Sequence, residues 1–169
     1  MDRGKEWQIA FAKQALSDYK IYEILCRNNA ESCHRLHYLQ MFLEKTSKAY
    51  LWQDRNFTGG IPYFHTSHNV IAKVIPQITK DVLTNREFLN RNKMKEIRKI
   101  CREIDLLAPA VDDDKKRLDN CEYPWANSVK GKISIPCEEK FEMLNKLINN
   151  SNGTLIIKVG RLYLQNLQS

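Results

Sequence analysis

Four histidines fall in two pairs at a separation of three, His34 with His37 and His65 with His68. On a helix such a pair shares one face and could hold a metal ion. A closed site needs a third and fourth ligand, and Cys33 beside His34 projects about 100° away around the helix, so packing or surface histidines are the favoured reading. No metal and no other cofactor is expected. Cys26, Cys33, Cys101, Cys121 and Cys137 are odd in number and irregularly spaced, with no CxxC pair. That indicates neither a zinc knuckle nor a disulfide framework and favours reduced, buried or idle thiols. Gly59 and Gly60 are not followed by the lysine and helix start of a phosphate-binding loop, no GxSxG elbow is present, and no cysteine sits in a protease signature.

Charge is more informative than nucleophiles. Between Arg86 and Arg102 lie seven basic and two acidic residues, and Arg91, Lys95, Arg98 and Arg102 recur at steps of four, three and four. This spacing makes one helical stripe, roughly opposite Ile97, Ile100 and Ile104. Such a stripe neutralises phosphates along a nucleic-acid backbone, although a solvated outer helix face has the same composition. No aromatic residue interleaves with it, so base stacking on a single strand is not indicated. A smaller cluster consists of Glu44, Lys45 and Lys48, which could meet His68 as ligand or partner contacts. Glu44 and Lys48 are also an ordinary i, i+4 pair, and that structural reading is preferred.

These residues need helices to position them. From Lys5 to Arg27 the chain has no proline or interior glycine, and Phe11, Ala15, Asp18, Tyr22 and Leu25 mark one face. Asp18 on that face needs a partner to offset its desolvation. Asn28 and Asn29 predict a turn into a second, antiparallel helix over about Ala30–Trp52. Gly59, Gly60 and Pro62 place a loop between Gln53 and Tyr63. Thr66 or Ser67 can cap a third helix carrying Val70, Ile71, Val74, Ile75 and Ile78, which Pro76 should kink or divide. Asn85 can cap a fourth, from Arg86 to about Leu107, with Ile97, Ile100, Cys101, Ile104 and Leu107 buried and Pro109 ending it. Residues 111–136 read as a long surface loop pinned by Tyr123 and Trp125. Residues 137–150 and 154–167 read as a closing helical pair. Ile133–Ile135 is the one plausible extended piece, too short to make a sheet alone.

The string CHRLHYLQMFLEKTSKAYLW, Cys33 to Trp52, resembles the second helix of HEPN domains (higher eukaryotes and prokaryotes nucleotide-binding) in Gln40, Glu44, Lys45, Lys48, Ala49 and Leu51. Trp7, Ala12, Ala15 and Asp18 resemble the family's first helix, and Ser67-His68 before Val70 and Ile71 the opening of its next one. The resemblance covers residues 5–80. It implies a helical bundle acting as a homodimer, and either a ribonuclease or a non-catalytic module that binds nucleotides or a nucleotidyltransferase-type partner. The family's ribonucleases use an arginine with a histidine shortly beyond it, late in the bundle. Here Arg91-Asn92 resembles the opening of that motif, but no histidine follows. Only Arg27 and His34 offer comparable spacing, at the first inter-helix turn. There the arginine would hold a phosphate and the histidine would move a proton from the 2′-hydroxyl. The plainer reading is that Arg27 ends helix one, favoured by its dipole, and that His34 begins helix two.

The chain is 169 residues with a net charge of +7 and a sequence pI near 9.2, more than half of the surplus falling between residues 61 and 110. Anionic partners are favoured. Charges interrupt every apolar run short of membrane-spanning length, and no signal-type segment follows MDRGKEWQ, so a cytoplasmic protein without membrane contact is expected. The expected fold is all-α, an antiparallel up-and-down bundle of five or six helices in one domain over 1–169. Its core bundle would span 5–110, its loop 111–136, and its C-terminal pair 137–169. The expected function is a non-catalytic HEPN-like module binding a nucleotide, RNA or a nucleotidyltransferase-type protein. The alternatives are a metal-independent HEPN ribonuclease of the toxin–antitoxin or defence type, and a protein-interaction scaffold.

Overall fold

The computed structural model describes residues 3–53, 62–83, 89–108, 120–126 and 130–167. Six α-helices account for most of them: α1 Arg3–Arg27, α2 Ser32–Leu51, α3 Ile71–Val82, α4 Arg91–Asp105, α5 Glu142–Ile148 and α6 Ser151–Asn166. The protein is an all-α bundle. Single-turn 3₁₀ segments lie at Tyr63–His65 and Pro136–Glu138.

α1 and α2 form the antiparallel pair that the Asn28-Asn29 turn predicts. Ala30 N–H bonds to the carbonyl of Leu25 at 3.0 Å, and Asn29 takes the left-handed conformation (φ 49°) that asparagine tolerates. Ala12, Ala15, Asp18 and Tyr19 of α1 are buried against Leu36, Leu39, Phe42 and Leu43 of α2. Leu39, Phe42 and Leu43 therefore belong to the chain's own core. The α4 stripe Ile97, Ile100, Cys101 and Ile104, with Leu107 beyond it, is at most 1% exposed. α6 packs against the five other helices, so one apolar cluster draws on all six. At Gly160 the α6 backbone passes so close to α2 that a Cβ would lie 3.0 Å from the Phe42 ring.

The helix starts need correction. α3 begins at Ile71, with no side-chain cap from Thr66 or Ser67. Ser67 Oγ accepts from Asn69 N–H instead, and the N–H groups of Ile71 and Ala72 donate to the Asp105 carboxylate at 3.1 and 2.9 Å. A carboxylate from the end of α4 thus performs the capping that local sequence was expected to supply. Pro76 does not divide α3; it lies buried within one continuous helix, where it forfeits a single backbone donor. α4 starts at Arg91, capped by Asn90, whose Oδ1 accepts from Lys93 N–H at 2.9 Å. The expected start at Asn85 and Arg86, the loop glycines Gly59 and Gly60, Pro109 and the run Asp112–Arg117 lie outside the described residues.

The C-terminal third also departs from expectation. Trp125–Ala126 (β1) pairs antiparallel with Ile133–Ser134 (β2), so the short extended piece finds a partner within the expected loop. Trp125 does pin this segment, its ring 6.3 Å from that of Phe141, whereas Tyr123 is 61% exposed. Residues 137–141 are not α-helical, and Phe141 enters α5 at φ 47°. Asn150 then caps α6, its Oδ1 accepting from Asn152 and Gly153 N–H.

Candidate functional site

Glu44 sits on the inward face of α2 at 3% exposure, where an isolated carboxylate would be costly. Two partners offset that cost. Lys48, one turn later, donates from Nζ to Oε1 at 2.7 Å, and His68, in the turn before α3, places Nδ1 3.0 Å from Oε2. The contact is a hydrogen bond when His68 carries its proton at Nδ1. Nearly half of the His68 side chain is exposed, 45% against 4% for Glu44, so a buried anion holds a surface imidazole in place. The next residue, Asn69, accepts from the Arg102 guanidinium at 3.2 Å. The two residue sets that the spacing separated, Glu44–Lys48–His68 and the α4 stripe, therefore adjoin at His68-Asn69.

Lys45 does not join them. It pairs with Asp18 at 2.5 Å, and Gln14 donates to the other oxygen of that carboxylate at 3.1 Å. Asp18 thus gains the partner its position on the packing face demands.

Beneath this surface lies Asp105, wholly buried. Burial pushes its carboxyl up to about 6, against the opposing pull of the Ala72 and Ile71 N–H groups and of Arg102, with Glu44 nearby adding repulsion. His65 is held by aromatic rings: Trp7 at 4.5 Å, Phe11 at 5.2 Å and Trp52 at 6.0 Å. Its imidazole titrates below the usual range, because burial and then the Lys48 cation both disfavour the charged form. Lys48 itself lies 5.9 Å from the Phe11 ring centre.

On α4, Arg91, Lys95, Arg98 and Arg102 are all exposed. Arg102 is engaged with Asn69, whereas Arg91, Lys95 and Arg98 take part in no ion pair among the described residues. The cationic row is solvated because α4 spends its other face, Met94 through Ile104, on the core.

The remaining sequence candidates are dispersed. Arg27 is exposed and turns back to Glu23 at 3.7 Å, while His34 is exposed in the first turn of α2; no described contact joins them. His37 approaches Glu122 at 3.6 Å. Among the described residues no group of three or more His, Cys, Asp or Glu side chains could hold a metal, and no disulfide joins any of the five cysteines. No helix among them is long and apolar enough to cross a membrane.

Asp105 and the rings around His65 are the parts that sequence reasoning missed. Asp105 follows Cys101 by four on the buried stripe of α4, the same signal that singled out Asp18 in α1. Trp7 and Phe11 share a face by the same spacing. Comparison with protein-family models, curated proteins and solved structures finds no match to this chain.

Proposed function

We propose that this chain is a non-catalytic, HEPN-like helical module that binds RNA through the exposed face of α4. The observation that carries the reading is the row Arg91, Lys95 and Arg98, solvated and without ion pairs among the described residues, ending at Arg102 beside Asn69 and His68. Four cations along one helix span about 16 Å at 1.5 Å per residue, which covers two or three phosphate spacings of a nucleic-acid strand. Recognition of this kind reads the backbone and not the bases, in keeping with a stripe that carries no aromatic residue. The HEPN resemblance brings a second copy of the chain and a nucleotidyltransferase-type protein into the same proposal as partners; charge favours RNA. Arg27 and His34 have no part in it.

The test is fluorescence anisotropy with a single-stranded RNA oligonucleotide across a salt series. Neutralising up to four phosphates gives a slope of log affinity on log salt of about −3. Binding that does not change with salt, or cleavage of the oligonucleotide by purified protein without added metal, would overturn the reading.

A further inference from the structure

A cleft of about 530 Å³ lies between the N-terminal half of α1 and the C-terminal ends of α2 and α6. This is within the ordinary range for small-molecule sites. Lys5 and Lys13 stand on its α1 wall, separated by two turns or about 12 Å. Gln53 and Asn166 face them from the ends of α2 and α6, and Ile9 and Leu167 supply an apolar surface between. No carboxylate lines the cleft among the described residues.

Two of the hydrogen bonds beside it are long. Gln8 donates to the Tyr163 hydroxyl at 3.4 Å, and that hydroxyl donates to Gln53 Oε1 at 3.3 Å, both near the upper limit of a hydrogen bond. At the two helix ends Trp52 N–H bonds to the carbonyl of Lys48, Gln53 N–H to that of Tyr50 and Leu167 N–H to that of Tyr163. Lys5 and Lys13 are exposed and take part in no ion pair among the described residues.

We propose that this cleft binds an organic anion with an apolar body, its acid group held by Lys5 or Lys13, its body on Ile9 and Leu167, and the Gln53 and Asn166 amides closing the polar contacts. The site is separate from the α4 face. α1 packs chiefly on α2, with a smaller contact to α6, whereas α4 packs chiefly on α3, with smaller contacts to α6, α5 and α2, and no α4 residue lines the cleft.

The probe is 8-anilinonaphthalene-1-sulfonate, an aryl body with one sulfonate, titrated by fluorescence into the full chain. Saturable binding at one site per chain is expected, at least about tenfold weaker in Lys5→Glu/Lys13→Glu and retained in Lys5→Arg/Lys13→Arg. Both lysines are exposed, so the thermal midpoint should not move and serves as the folding control. Three results would overturn the proposal: no saturable binding, equal binding by the charge-reversed pair, or an equal loss on reversing Arg91, Lys95 and Arg98.

Discussion

Asp105 supplies two hydrogen bonds to the start of α3 from a position closed to solvent, and its carboxyl titrates near 6 because burial outweighs the bonds that favour its charge. The unfolded chain loses this proton near 3.8, so between about pH 4 and 6 the folded state holds more of it. Stability from this group is therefore full below pH 4 and is lost as pH rises through 6, by about 3 kcal/mol in all. Asp105→Asn should abolish that component, which urea midpoints of both proteins between pH 4 and 7 would display. Glu44 and Lys48 obey a different balance. Their side chains are 4% and 6% exposed, and removing the cation as Lys48→Met leaves a buried carboxylate with only His68. A loss of about 3 kcal/mol is expected, and the double variant with Glu44→Gln should lose clearly less than the sum of the two single losses. A double-mutant cycle at pH 7 measures this coupling.

At the level of elements, α1 and the body of α4 were legible from residue spacing, and α2 from the asparagine turn that precedes it. Their ends were less so, for physical reasons visible in particular residues. Thr66, Ser67 and Asn85 have the chemistry of caps, but the donors at the start of α3 are met by Asp105, 34 positions away from Ile71 in sequence, and Asn90 is the residue that caps α4. No local rule detects a cap delivered by another helix. The β1–β2 pair escaped for a similar reason, since two residues on each side are held by their setting and not by strand propensity. Of the candidate site, the approach of His68 to Glu44 was foreseeable as a juxtaposition, whereas the capture of Lys45 by Asp18 depends on the register of α1 against α2. The α5–α6 junction offers a test of close packing. A Cβ at Gly153 would lie 2.1 Å from the Ile148 carbonyl oxygen, a backbone atom that cannot turn aside. Gly153→Ala gains up to about 1 kcal/mol of helix propensity, yet it must push α5 away and uncover Leu144 and Ile148. A net loss of about 2 kcal/mol is expected in chemical denaturation.

Across the whole molecule, positive charge is not spread evenly. α4 presents Arg91, Lys95, Arg98 and Arg102 on one exposed row, while Glu103 joins Glu138, Glu139 and Glu142 around a cleft of about 470 Å³ at the start of α5. The net charge of +7 is therefore a difference between separated surfaces, and a polyanion should respond to their arrangement more than to their sum. The most direct test compares two triple reversals that lower the net charge equally. One changes Arg91, Lys95 and Arg98 to Glu; the other changes Lys20, Lys146 and Lys158, exposed residues on α1, α5 and α6. With single-stranded RNA at fixed moderate salt, the α4 triple should lose binding by two orders of magnitude or more, about 3 kcal/mol, while the scattered triple stays within about fivefold of the parent. Equal losses in the two triples would contradict the account, because the charge would then act only in bulk.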